Sequence, residues 1–292
     1  MKKEAILTAP EHVKILVDSY YEIQKGRIQI GNRIAMLERD YHIEEETAKL
    51  LHEKMDEQLS LTEKWIGKQL IAFAEGSVFY NTWLGETKGI GPVLASGLIS
   101  GIRDINRFSN ISKLWKYCGL SVSNRCANCN KRIFKEEERE KWLVNNIERA
   151  KNTKHQKKEG KFDEVAYRKK LELAICKCKI PEIVSVASKK VSGEPLEYSP
   201  FMRTLCWKIG EQFVKMGNRS FYGNLYRTFR EEEERKNPQL TKLHRYNRAK
   251  RKTVKVFLSH VWIVWRQQLN LPISKPYLEE RMGHKCIEPP KY

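Results

Sequence analysis

The sequence predicts a mainly α-helical protein: an N-terminal antiparallel coiled-coil hairpin, then a helical domain carrying a small cysteine-held insertion. Three observations predict it. Apolar residues recur three and four apart across 13–41, the spacing of a coiled-coil seam. Further apolar stripes at helical spacing follow residues 92, 199 and 255, separated by glycine, proline and serine, the residues that start and stop helices. Two close cysteine pairs, Cys126 with Cys129 and Cys176 with Cys178, bracket a charged stretch that continues neither stripe.

The hairpin occupies 1–84. Val13, Leu16, Tyr20, Ile23, Arg27, Ile30, Ile34, Leu37 and Tyr41 form the seam, interrupted only by Arg27. A second helix begins near Glu44, with Leu51, Met55, Leu59, Ile66, Leu70 and Phe73 as a rougher apolar face. A connection as short as 41–43 makes the two helices antiparallel neighbours, roughly 45–50 Å long at ~1.5 Å per residue. Such a hairpin either packs on the rest of the chain or pairs with another copy; the seam is longer than a compact core needs, so a homodimer through the hairpin is expected.

Residues 85–125 form a turn and helix. Gly89 and Gly91 flank Ile90, and Pro92 stands where a helix tolerates it, opening a helix over 93–102. Two readings apply. The turn and helix N-terminus can direct amides at a phosphate, with Lys88 beside them; equally, G-x-G-P before a helix can be an ordinary turn that packs Ile90 into a core.

Residues 126–180 are the insertion. Cys126-Ala-Asn-Cys129 is a C-x-x-C loop, whose spacing lets both thiolates reach one tetrahedral ion. Cys176 and Cys178 are the expected second pair, after helical segments at 135–150 and 162–175 joined by the lysine-rich KNTKHQKKEGK. Together these four predict a structural Zn²⁺ site. The alternatives are inert reduced cysteines or a ligand set drawing on His284 and Cys286.

Residues 181–292 supply the remaining helices of the core. Ser199 and Pro200 open a helix to 217 with Phe201, Leu205, Ile209 and Phe213 on one side and Arg203 and Lys208 elsewhere on it. Arg219 and Tyr222 lie in a polar and aromatic turn. A helix over 225–236 carries REEEERK, read as a solvated face. After Pro238, Arg245, Arg248, Lys250, Arg251, Lys252 and Lys255 with Tyr246 among them make the basic half of a helix whose second half, 256–265, is apolar. Such a helix fits a core at one end and a phosphate backbone at the other.

Composition points the same way. The chain of 292 residues has 55 Lys or Arg against 36 Asp or Glu, a formal charge of +19 and a pI near 9.6, which a polyanionic partner explains most simply. No apolar run reaches the ~20 residues that span a bilayer. Met-Lys-Lys followed by Glu4 does not read as a signal peptide. A cytoplasmic protein of a prokaryotic or phage-infected cell is expected, without a membrane partner.

GIGPVLASGLISGIRDINRFSNISKLWKYCGL, then FMRTLCWKIGEQFVKMGNRSFYGNLYRTFR, then RAKRKTVKVFLSHVWIVWR with Lys-Pro-Tyr beyond it, together resemble the C-terminal domain of the IS-one-ten class of insertion-sequence transposases. The resemblance spans about two thirds of the chain. It implies a structured guide RNA and a likeness to the Nop domain of box C/D ribonucleoproteins, a domain shared with the Tas proteins of tandem interspaced guide RNA systems. Members of the transposase class begin with a RuvC-like nuclease domain, where this chain has the helical hairpin. The class's nucleophilic serine follows the Y-x-G-L block; here SVSNRCANC places Cys126 and Ala127 nearest to it, and Ser121 and Ser123 lie earlier. No catalytic residue is therefore carried over.

Two functional classes follow. In the first, the chain is an RNA-guided DNA-binding protein without its own nuclease, with a guide RNA and a target DNA as partners; Lys88, Gly89, Gly91, Arg203, Lys208, Arg219, Tyr222, Arg245, Tyr246, Arg248, Lys250, Arg251, Lys252 and Lys255 are its candidate nucleic-acid contacts. In the second it is a transposase or recombinase that cuts or joins DNA strands through Ser121 or Ser123, with a partner nuclease. A plain helical DNA-binding module is a third, simpler option.

Overall fold

The computed structural model describes residues 9–152, 162–273 and 287–292. His155, the Lys-Pro-Tyr at 275–277, His284 and Cys286 lie outside the described residues. The chain forms two compact units, Met1–Leu114 with Thr204–Tyr292, and Trp115–Arg203. Among the described residues no helix is long and apolar enough to cross a membrane.

In the first unit, α1 (Pro10–Tyr41) opens with proline at its first position and stops at His42, whose φ of 48° is left-handed. The second arm of the hairpin is α2 (Glu45–Leu51), a π-helical turn (His52–Glu57) and α3 (Gln58–Glu75). A π turn inserts one residue into the helical period, which accounts for the rough apolar face of this arm: Met55 falls on the turn and is exposed, while Ile66 and Leu70 are buried. The seam of α1 is not uniformly buried either. Val13 and Ile34 are in the interior, as is Val17, which lies outside the seam, whereas Tyr41 is exposed. The cause is a change of neighbour along α1, which packs on both α3 and α4 (Pro92–Ile102). Arg27, the one polar seam residue, closes on Glu63 of α3 at 2.6 Å, and Gln24 donates to the same carboxylate at 2.9 Å.

The helix α4 is the centre of this unit, with every residue from 94 to 102 buried. Gly97 lets it approach its neighbours: a Cβ there would lie 2.9 Å from Leu205 and 3.4 Å from Val17. Beyond it come a 3-10 turn (Ile105–Arg107), α5 (Ile111–Tyr117) and, after the second unit, most of α8 (Pro200–Met216), a second 3-10 turn (Gly217–Arg219), α9 (Phe221–Lys236) and α10 (Lys242–Gln268). Phe213, Tyr222, Phe257 and Trp262 are fully buried, and the Trp262 indole donates to the Phe108 carbonyl at 2.7 Å. The helix expected from 225 starts four residues earlier because the Ser220 hydroxyl caps it, accepting from the Gly223 amide.

The second unit contains the strands absent from the sequence reading. β1 (Val122–Cys126) and β2 (Ile183–Ala187) pair antiparallel, Cys126 opposite Ile183. Between them α6 (Glu136–Lys151) and α7 (Glu164–Glu172) enclose a small core of Trp142, Leu143, Ile147, Leu171 and Ile175.

Candidate functional site

Cys126 ends β1, and the chain turns at once. The Asn130 amide donates to the Cys126 carbonyl at 2.8 Å, the Cys126 amide to the Lys131 carbonyl at 2.9 Å, and Asn130 takes a left-handed φ of 56°. This tight turn directs Cys126 and Cys129 to one side. Behind α7, the Cys176 amide donates to the Arg132 carbonyl at 2.8 Å, which lays the C-x-C segment beside the turn. The four sulfurs lie within 4.8 Å of one another; Cys129 and Cys176 are 3.5 Å apart, Cys126 and Cys178 3.9 Å. Thiolates at ~2.3 Å from a tetrahedral ion stand about 3.8 Å apart, so the set fits a metal. Amide donation from Cys129 draws the Cys126 thiol down to about 7 against its burial, Asn128 adding to the effect; hydrogen bonding to Cys176, Cys129 and Cys126 pushes Cys178 up to about 12. Metal binding requires all four to be deprotonated.

Directly behind the turn lies a buried charge network that no sequence pattern marks. Arg125 holds Glu194 bidentately at 2.8 and 2.6 Å and donates to the Asn130 carbonyl at 2.6 Å. Arg132 joins Glu194 at 2.7 Å and Glu197 at 3.0 Å, and Glu197 also accepts from the Trp142 indole at 2.6 Å. Burial pushes the Glu194 carboxyl up, but the two guanidinium groups outweigh it and hold it below the usual range. The network ties the cysteine turn to the 194–197 segment. Ser121 shares a hydrogen bond of 2.9 Å with the Ser188 hydroxyl, which fixes the end of the strand pair. Ser123 lines a small crevice with Arg125, Arg132 and Lys189.

The predicted nucleic-acid residues fall into three groups. Tyr222 is removed from the set: it is fully buried, its hydroxyl 2.7 Å from His260 Nδ1, and cannot stack on a base. Lys250 is buried against Glu211, and Arg203 donates to the Ser188 carbonyl with its guanidinium over the Tyr198 ring. Lys208 lies over the Tyr21 ring, and burial lowers it to about 8 against the pull of Asp18. These three are engaged in packing. The remainder face outward to differing degrees. Lys88 and Arg219 are exposed, Arg219 also donating to the Met216 and Lys215 carbonyls at the end of α8. On α10, Arg245 donates to the Pro238 and Leu240 carbonyls, Tyr246 meets Tyr226 edge-on at 5.4 Å, and burial with the neighbouring Arg251 lowers Lys255 to about 8.

The acidic run read as a solvated face also requires correction. Glu233 is 1% exposed; its carboxylate takes Arg248 at 2.8 Å and Lys252 at 2.6 Å. Antiparallel packing of α9 on α10 brings acids distant in sequence beside the basic half. At the glycine turn, Gly89 has φ of 101° and closes against Phe213 and Met216, with Ile90 buried; the packing reading accounts for this residue. Gly91 differs. It caps α4 at an ordinary φ of −79°, and a Cβ would meet nothing within 4 Å, so neither backbone nor packing demands glycine there.

This segment is also where a likeness to known proteins lies. Residues 81–133 match the family described as Transposase IS116/IS110/IS902 family. The transposase-like segment thus runs from the π-helical turn at Tyr80–Leu84 through the glycine turn, α4, α5 and β1 to just past Cys129. No curated protein matches the chain.

Proposed function

We propose that the protein is an RNA-guided DNA-binding protein without a nuclease of its own in this chain, holding a guide RNA on a Nop-like helical domain. The observation that carries this reading is the transposase-like segment at 81–133, preceded here by a helical hairpin over 10–75 rather than by an α/β nuclease fold. The charge of +19 and the outward cations of α10 support a polyanionic partner. Base pairing supplies sequence choice in such a system, so the protein needs only sequence-blind contacts. Lys88, the open Gly91 amide region, Arg245 and Arg251 are those contacts, with Tyr246 beside them, while Glu233 holds Arg248 and Lys252 in reserve.

Cys126, Cys129, Cys176 and Cys178 hold one structural Zn²⁺ in this proposal. Four thiolates leave no open position for a substrate. The ion's role is to close the turn onto the C-x-C segment. Metal analysis should give about one zinc per chain, falling to near zero in Cys126→Ser; unchanged metal content in that variant would refute the site.

The guided reading is tested by sequencing the RNA that copurifies with the protein, then measuring binding and cleavage of complementary DNA with and without Mg²⁺. Guide-dependent binding without cleavage is expected. The family match also favours a second reading, a transposase or recombinase. Strand cleavage lost in Ser121→Ala or Ser123→Ala would establish it, and absence of any bound RNA would remove the guided reading.

A further inference from the structure

The hairpin carries a groove of about 540 Å³ along α1 and α3, lined among others by Tyr20, Arg27, Lys64, Trp65, Lys68 and Ile71. Trp65 is 45% exposed, an unusual position for the side chain with the largest apolar surface. Lys64 and Lys68 are exposed and one helical turn apart on the same face beside it, and neither forms an ion pair among the described residues. The groove's carboxylate, Glu63, is 9% exposed and already neutralised by Arg27 at 2.6 Å. An exposed indole beside two uncompensated cations is therefore the surface left for a partner.

We propose that this groove binds an unpaired stretch of nucleic acid, one base stacking on Trp65 while Lys64 and Lys68 meet the adjoining phosphates. The inference rests on the reading of the protein as a nucleic-acid binder, but not on a guide. Charge complementarity selects this occupant over a second copy of the chain. A two-fold self-interface would set the Lys64 and Lys68 stripe against itself, and like charges facing each other at an interface are unfavourable. A single strand suits the groove better than a duplex, because the π-face of a base reaches an aromatic side chain only when the base is unstacked.

The test uses the full chain, stripped of bound RNA by nuclease and high salt, with fluorescent 15-mer oligouridine, oligo(dT) and a duplex of equal length as probes. Trp65→Ala should raise the Kd for the single strands about 5- to 150-fold and leave duplex binding unchanged, with Trp65→Phe retaining most of the affinity. Lys64→Gln with Lys68→Gln should flatten the salt dependence of single-strand binding by a slope of about 1.4. Oligouridine against oligo(dT) separates an RNA site from one open to either strand. Unchanged single-strand affinity in Trp65→Ala overturns the proposal, and so does a fall in molar mass in its place, which would mark a protein interface. If Trp65→Ala fails to fold, photocrosslinking of a 4-thiouridine oligonucleotide to the unaltered protein decides: crosslinks on the tryptic peptide carrying Trp65 support the site, and crosslinks confined to other peptides overturn it. These probes lack guide complementarity, so failure of guide-dependent DNA binding leaves this result standing.

Discussion

Glu194 is the residue on which the cysteine turn most depends. Its side chain is 6% exposed and receives two guanidinium groups, one of which also reaches the turn at the Asn130 carbonyl. Removing one member of a buried ion network strands the others, so Glu194→Gln should cost about 3–5 kcal/mol. Chemical denaturation of the wild-type and variant proteins measures this. The pH dependence has a definite sign. A carboxyl held below its ordinary value of 4.5 in the folded state contributes stability that is present above that value and is lost as pH falls through the depressed folded value. The wild-type protein should therefore lose stability on acidification below about 4.5, and Glu194→Gln should lose less over the same interval. An equal acid loss in both would show that other carboxylates carry it. Nothing in the sequence marked this network, since Arg125 lies in a short strand and Arg132 just beyond the cysteine turn, and their partner is separated from Arg125 by 69 positions. The cysteines were legible because C-x-x-C has a geometric meaning by itself.

At the scale of elements, the α9–α10 pair has a comparable consequence. Glu233 occupies Arg248 and Lys252, which would otherwise be free for phosphate. Glu233→Gln should lower stability and yet strengthen nucleic-acid binding, with a salt slope steeper by up to about 1.4–1.8 for two released contacts. Anisotropy titrations at several salt concentrations measure it, and a slope unchanged from wild type would mean that these two cations do not reach the backbone. The sequence showed where helices lie but not which faces they turn inward. Heptad spacing located α1 to within a few residues and the turn at 41–43, and Ser199-Pro200 located the start of α8. The π turn was invisible because propensity and periodicity describe an unbroken helix. β1 and β2 were missed because five-residue strands of mixed polarity carry little periodic signal. Tyr222 was misplaced for a related reason: the Ser220 cap moved it from a loop into a helix that packs on α10.

For the whole molecule, we propose that a homodimer through the hairpin meets at the apolar side chains the hairpin leaves exposed. Ile34 is buried within its own hairpin, so charge placed there would disrupt the fold, whereas Met36, Leu50 and Met55 remain exposed. Met36→Glu with Leu50→Glu should convert a dimer to a monomer by light scattering without loss of helical signal; a dimer mass in the double variant would exclude these side chains as the contact. The division of the chain into units has a different kind of consequence, one of time. The unit 115–203 is contiguous, while the other is assembled from residues on both sides of it. The Phe108 carbonyl waits for the Trp262 indole, made 154 residues later, an interval of roughly 10–30 s at ribosomal speed. While 115–203 is being made, Gly97 of α4 stands without its neighbour Leu205, and α10 follows only after the cysteine unit is complete. Nascent chains stalled far enough beyond 203 for that residue to clear the ribosomal tunnel should therefore resist protease across 115–203 and be cleaved through the first unit, giving the smaller unit a head start in folding.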